Sequence, residues 1–139
     1  MTSSTIDFLA TGRRVIRRES EALDMLADQL GPSFGQAVDL IMAASGRVIV
    51  SGMGKSGHIG NKIAATLAST GTPAFFMHPA EASHGDLGMI TEGDVVIALS
   101  NSGESDEILN ILPTIKRLGA KVISITGSAN STLAKESHI

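Results

Sequence analysis

An α/β fold with a parallel sheet between helical layers is the class this sequence predicts, on three observations. Segments 47–51, 94–99 and 121–126 are short, β-branched and almost continuously apolar, as strands covered on both faces are. Stretches with helical spacing of apolar residues lie between the strands, so strand and helix alternate. Strands end in turns of small residues, and glycine supplies 15 of the 139 residues, above the usual share of about 7%. Together these describe right-handed βαβ units in a three-layer α/β/α sandwich.

The first element is a helix over 5–30. Leu9, Ile16, Leu23 and Leu30 recur at heptad spacing with Leu26 on the same side, and Ser4-x-x-Asp7 can cap its start. Its opposite face carries Arg13, Arg14, Arg17, Arg18, Glu19 and Glu21, which read as a solvated surface with local ion pairs. The apolar stripe is of the kind that packs on a sister subunit. Gly31-Pro32 breaks this helix, and Ser33-x-x-Gln36 resembles a capping box for a second one through about Ala44, ended by Gly46. Strands follow at 47–51, 73–77 (the weakest), 94–99 and 121–126. Ile59, Ile63 and Leu67 share one face of a helix over 56–69. Ile108, Ile111, Leu112 and Ile115 give another over 104–118 despite Pro113. Ala82–Ile90 is ambiguous and reads best as a short helix. Asn130 caps a short helix over 131–136, and Ser137-His138-Ile139 opens a fifth strand that is cut short. A domain of this class does not close on a strand stub, so the chain is expected to be a fragment of a longer protein.

Composition bounds the function. A chain of 139 residues with 42% hydrophobic and 18% charged residues suits one domain with an ample core. A net charge of −3 leaves no electrostatic footprint for nucleic acid, and four Phe without Trp or Tyr make no stacking platform for bases. With no cysteine, disulfide frameworks and thiolate metal sites are excluded. No apolar run reaches the roughly 18–20 residues that span a bilayer, and residues 1–5 lack a signal peptide's basic start. A cytoplasmic protein without membrane partners is expected.

The chemistry lies in the loops. In an open parallel sheet, ligands bind beyond the carboxyl ends of the strands. There the sequence places Ser51-Gly52-Met53-Gly54-Lys55-Ser56-Gly57, then Ser100-Asn101-Ser102-Gly103-Glu104-Ser105, then Thr126-Gly127-Ser128. Small residues let backbone approach a ligand, hydroxyls donate hydrogen bonds, and helix N-termini favour anions, so the common target of such loops is phosphate. Gly54, Ser56, Ser100, Asn101, Ser102 and Ser105 are the candidate binding positions. Gly52-x-Gly54-x-x-Gly57 fits a dinucleotide fingerprint, but the acidic residue that fingerprint wants after the next strand is replaced by Met77-His78. Gly54-Lys55-Ser56 resembles the end of a P-loop, but the leading glycine of that motif falls at Ile49, inside a strand. Lys55 and Glu107 are the ionisable candidates. Lys55 follows the first strand, and Glu107 lies in the first turn of the helix after the Ser-rich loop. Glu104 and Asp106 read as first-turn acids favoured by the helix dipole. His78, Glu81, His84 and Asp86 are competent metal ligands whose spacing matches no specific motif. His58 reads as an ordinary helix residue.

Four blocks in order resemble the sugar-isomerase (SIS) domain, and within it the D-arabinose-5-phosphate isomerases. They are Ser51–Gly60, Ser69-Thr70-Gly71-Thr72-Pro73, His84-Gly85-Asp86-Leu87-Gly88 and Ser100–Ser105. The resemblance runs from about residue 10 to the end. It implies a five-stranded parallel sheet of order 2-1-3-4-5, with the fifth strand truncated here. It also implies interconversion of D-ribulose 5-phosphate and D-arabinose 5-phosphate without a redox cofactor, as the first step towards Kdo in lipopolysaccharide or capsule. Members usually continue into a pair of CBS domains and assemble as tetramers. On that basis residues 1–139 are the isomerase domain, and the CBS pair lies beyond them. Lys55 and Glu107 match positions implicated in catalysis, Gly71, Thr72 and His84 match substrate-contacting positions, and His78 matches a position associated with zinc. A further Glu and His of the family fall beyond Ile139.

An aldose–ketose isomerase moves a proton between C1 and C2 through an enediolate. Ser100, Ser102 and Ser105 are expected to hold the phosphate and Lys55 to stabilise the enediolate oxyanion; Glu107 is a candidate base or proton shuttle, and the family's further Glu or His is the other candidate base. The alternative is a regulatory module that binds a phosphosugar without converting it, which needs the Ser loops but not Lys55 or Glu107.

Overall fold

The structure is a computed structural model, and residues 6–139 are described. The chain forms two units, one ending at Gly35 and the other running from Gln36 to Ile139.

The first unit is dominated by α1 (Phe8–Gln29), whose N-cap is Asp7; the Asp7 carboxylate accepts from the Ala10 backbone N–H at 2.9 Å. One residue thus does the capping that a Ser4–Asp7 box was expected to share, and Ser4 lies outside the described residues. No residue of α1 is buried, so its heptad stripe is exposed along with its charged face.

The helix α2 (Pro32–Met42) begins one residue before the expected Ser33 cap. Pro32 breaks α1 but opens α2, because a first-turn position has no partner for the N–H that proline lacks and its fixed φ is already helical.

The second unit holds β1 (Val48–Gly52), α3 (Gly54–Ser69), β2 (Ala74–Phe76), α4 (Pro79–Ala82), a 3-10 turn at Asp86–Met89, β3 (Val95–Leu99), α5 (Asp106–Arg117), β4 (Lys121–Ile125) and α6 (Thr132–Glu136). All strand pairs are parallel, in the order β2-β1-β3-β4. The expected order is thus found in the four strands assigned. A beginning of fifth-strand pairing follows them, as His138 N–H donates to Val122 O at 2.8 Å and Ser124 N–H donates to Ile139 O at 2.8 Å.

Strand side chains alternate between two helical layers. Ile49, Val96, Ala98 and Val122 face Ile108, Ile111, Leu112 and Ile115 of α5. Val48, Val50, Val95, Ile97 and Ile123 face the other way, onto Ala64, Ile63 and Leu67 of α3 and onto Leu40 and Ile41 of α2. Both sheet faces are therefore covered, which is why the strands read as unbroken apolar runs. Gly57 permits a close approach: a Cβ there would stand 2.6 Å from the Gly52 carbonyl oxygen, so with any side chain at 57 α3 could not lie this close to the end of β1.

At the amino edge of the sheet, Asp94 joins β3 to β1. The residue is 1% exposed. Its carboxylate accepts from Arg47 N–H at 2.6 Å, from Thr91 N–H at 2.7 Å and from the Thr91 hydroxyl at 3.0 Å. Burial acts to raise its pKa, but these hydrogen bonds and the Arg47 guanidinium outweigh burial and hold it below the ordinary carboxylate value.

Candidate sugar-phosphate site

The carboxyl ends of β1, β3 and β4 open into a cleft of about 420 Å³ lined by Lys55, Ser56, Ile59, Leu99, Ser100, Asn101, Ile125, Thr126 and Gly127. Parallel pairing puts these residues together: Gly52 lies beside Leu99, and Leu99 beside Ile125, so the three strands end at one level and their loops converge. Lys55 and Ser56 are in the first turn of α3, and Lys55 is exposed. Ile59 and Ile125 stand at the cleft 57% and 52% exposed, giving it apolar walls beside its polar floor.

The β3–α5 loop, residues 100–105, is held by its own hydroxyls. Ser100 Oγ accepts from the Gly103 N–H at 3.0 Å and lies 2.8 Å from Ser105 Oγ. Ser102 Oγ accepts from the Glu104 N–H at 3.2 Å. Ser105 is the N-cap of α5 but makes no side-chain capping bond, since its hydroxyl is turned to Ser100. The N-terminus of α5 thus keeps free donors next to this loop, the arrangement that accepts an anion. α5 also starts at Asp106, two residues later than the expected 104. Glu104 is consequently not a first-turn acid of that helix. Its carboxylate accepts from the Thr132 N–H at 2.7 Å, and this bond, assisted by Lys135, lowers its pKa.

The remaining candidates are spread out. Glu107 is exposed in the first turn of α5 and does not line the cleft. Gly54 opens α3 and lines a second, smaller cleft of about 190 Å³ with Gly57, His58, Asn61, Phe76 and His78. His78 is the N-cap of α4: its Nδ1 accepts from Ala80 N–H at 3.3 Å, and its ring meets Phe76 edge-on. His84 is exposed after α4. Gly71 and Thr72 precede β2, whose first residue Ala74 pairs with Val48 at the start of β1. They therefore lie at the amino edge of the sheet, opposite the cleft. Among the described residues, no group of three or more His, Asp or Glu comes together as a metal site.

Two residues, Ile59 and Ser131, have parts that sequence reasoning missed. Ile59 read only as part of a helical stripe, yet it walls the cleft. Thr126 and Gly127, expected at the carboxyl end of the fourth strand in one of the three phosphate-type loops, do line the cleft. Ser131, not Asn130, caps α6, accepting from Ala134 N–H at 3.3 Å.

Comparisons with known proteins place this geometry in context. Residues 41–139 match the family described as the SIS domain. The arabinose 5-phosphate isomerase KdsD of Pseudomonas aeruginosa PAO1 is 58% identical over 137 residues, covering 99% of this chain and 42% of that protein. The arabinose 5-phosphate isomerase KpsF of Escherichia coli CFT073 is 57% identical over 136 residues, again covering 42% of its length. The chain thus spans less than half of these curated relatives. Among solved structures, an E. coli CFT073 protein in complex with arabinose 5-phosphate superposes with a TM-score of 0.91 at 42% identity, over 99% of this chain and 73% of that one.

Proposed function

The chain belongs to the SIS-domain family, and from that membership we propose that it is the sugar-phosphate domain of an aldose–ketose isomerase interconverting D-ribulose 5-phosphate and D-arabinose 5-phosphate. The observation that carries this reading is the cleft itself, lined by one lysine together with Ser56, Ser100, Asn101 and Thr126 at the carboxyl edge of the sheet. The identity to curated arabinose 5-phosphate isomerases supports it.

In this reading the phosphate lies against Ser100, Ser102 and Ser105 and the first N–H groups of α5. Asn101 and Ser56 hold sugar hydroxyls, and Gly54 lets the backbone of the β1–α3 turn come close. Lys55 stabilises the negative charge that develops on oxygen as the C2 proton of the aldose leaves, an interaction stronger in the transition state than in the ground state. That proton is returned to C1 of the enediolate to give the ketose. Glu107 is the candidate base or shuttle on this chain, and the reading reserves a share of the acid–base work for residues beyond Ile139. The reaction moves protons and no net electrons, so it calls for no redox cofactor. At His78, no group of three or more His, Asp or Glu comes together among the described residues, and the reading routes no step through a metal.

The wider setting is part of the same proposal: a cytoplasmic enzyme, assembled as a tetramer, continuing into a CBS pair and supplying arabinose 5-phosphate for Kdo. No helix among the described residues is long and apolar enough to cross a membrane. The positions of Gly71, Thr72 and Lys55 fit assembly. Gly71 and Thr72 sit at the sheet edge away from the cleft, so in a shared site they would serve the substrate of another copy.

Proton exchange tests the reading. Arabinose 5-phosphate is incubated in D2O with the protein, and the C2 proton is followed by NMR. An isomerase replaces it with deuterium. A module that only binds leaves the C2 proton in place and contradicts the enzyme reading in favour of the regulatory alternative.

A further inference from the structure

We propose that Glu104 is a positioning residue that ties the β3–α5 loop to the β4–α6 loop and thereby holds the Ser100–Ser102–Ser105 hydroxyl cradle in shape for an anionic ligand. The inference deepens the sugar-phosphate reading above and rests on it.

Glu104 sits inside the hydroxyl loop, yet its carboxylate leaves that loop. It reaches across 28 residues of sequence to accept from the N–H of Thr132 at 2.7 Å. Thr132 is the first residue of α6, where a backbone N–H has no partner within its own helix. The same two loops are joined by three further bonds. Leu133 N–H donates to Gly103 O at 3.0 Å, Gly127 N–H donates to Asn101 O at 3.0 Å, and the Thr126 hydroxyl donates to Asn101 O at 3.3 Å. At Gly103 (φ +68°) the loops touch: a Cβ there would run into the Ser131 side chain and come within 2.9 Å of Thr126 Oγ1.

The cradle hydroxyls are tied to the residues being held. Ser100 Oγ accepts from Gly103 N–H and Ser102 Oγ accepts from Glu104 N–H. A shift of the Gly103-Glu104 backbone therefore moves both hydroxyls. Charge supports the same arrangement. A carboxylate one residue from an anion site would repel the ligand; bonded to the positive end of α6, it points its charge elsewhere.

The test uses two readouts on the unmutated chain and three variants. Calorimetry measures affinity for D-arabinose 5-phosphate, and hydrogen exchange follows the backbone amides of Gly103 and Leu133. Glu104→Ala removes the acceptor. Glu104→Gln keeps an amide oxygen for Thr132 N–H. Thr132→Pro removes the N–H donor and, with it, the Thr132 hydroxyl that also acts on the Glu104 carboxylate, at a first-turn position where proline is tolerated, after Ser131, whose ψ of 160° already suits a residue before proline. The brace predicts about tenfold weaker binding in Glu104→Ala and Thr132→Pro, the scale of one lost hydrogen bond to a charged group. It also predicts faster exchange at both amides, near-normal values in Glu104→Gln, and an Ala/Pro double variant no worse than either single one. Unchanged affinity in both Glu104→Ala and Thr132→Pro overturns the proposal, as does weaker binding with unaltered exchange or a failure of Gln to rescue. If the unmutated chain binds no arabinose 5-phosphate, the sugar-phosphate reading falls. The brace is then decided by exchange alone: faster in Ala and Pro but not Gln keeps it, and equal exchange removes it.

Discussion

Ser102, Ser105 and Gly103 show how much of the site hangs on single small residues. Ser102 accepts from the Glu104 N–H and Ser105 Oγ lies 2.8 Å from Ser100 Oγ, so each hydroxyl has a second valence left for a ligand. Replacing both Ser102 and Ser105 by Ala is expected to weaken binding of arabinose 5-phosphate by about 1–3 kcal/mol, the range for hydrogen bonds to a charged group. Calorimetry checks this, and unchanged affinity would remove the loop from the phosphate site. At Gly103 the expectation is sharper, because its φ of +68° disfavours any side chain and the space is already filled by Ser131. Gly103→Ala is expected to cost about 1–3 kcal/mol of stability from backbone strain alone, read as a lowered urea midpoint. An unchanged midpoint would mean that the two loops yield without cost.

Strands and helices were the most legible scale. β1, β3 and β4 lie where the apolar runs lie, because full coverage by helices selects such runs whatever their intrinsic propensity. α5 tolerates Pro113 because its buried Ile108, Ile111, Leu112 and Ile115 anchor it on the sheet. Helix starts were less legible. Pro32, Asp7 and Ser131 each shift a cap by one residue or more from the sequence reading, since several neighbouring polar residues can cap and backbone geometry chooses among them. In the site, Lys55, Ser56, Ser100 and Asn101 were recoverable from glycine- and serine-rich turns at strand ends. The bond from Glu104 to Thr132 was not, as no local pattern joins two loops so far apart in sequence.

Asp94 carries a prediction at this scale too. Its folded pKa lies below the unfolded value of about 3.9. Its contribution is therefore fully present above that value and is lost as pH falls through the folded pKa. Urea midpoints should drop more steeply between about pH 4 and pH 2 in the unmutated chain than in Asp94→Asn, beyond the loss common to both. At neutral pH, Asp94→Ala should cost about 3 kcal/mol or more by leaving the Arg47 and Thr91 amides unpaired at the sheet edge. Parallel pH profiles for the unmutated chain and Asp94→Asn would show that Asp94 is not the titrating group.

For the whole molecule, the proposed assembly makes a prediction at the apolar stripe of α1. Leu9, Ile16 and Leu23 of α1, and Leu30 at its C-cap, are exposed. Light scattering is expected to give a mass above the 14.4 kDa of one chain, and Ile16→Asp with Leu23→Asp to return it towards that value. A 14.4 kDa species at high micromolar concentration in the unmutated chain would contradict assembly through this helix.

Lys55 bears the central claim, because with Glu107 it separates a site that converts a sugar phosphate from one that holds it, and of the two only Lys55 lines the cleft. The direct measurement is steady-state kinetics of arabinose 5-phosphate isomerisation with Lys55 intact and as Lys55→Met. Stabilisation of a developing enediolate predicts a kcat lower by on the order of 10²-fold or more, the scale for one such electrostatic group, with a smaller change in KM. A lysine that only grips phosphate would raise KM and preserve kcat. A Lys55→Met enzyme whose kcat lies within about twofold of the unmutated one, against that 10²-fold scale, would contradict the account.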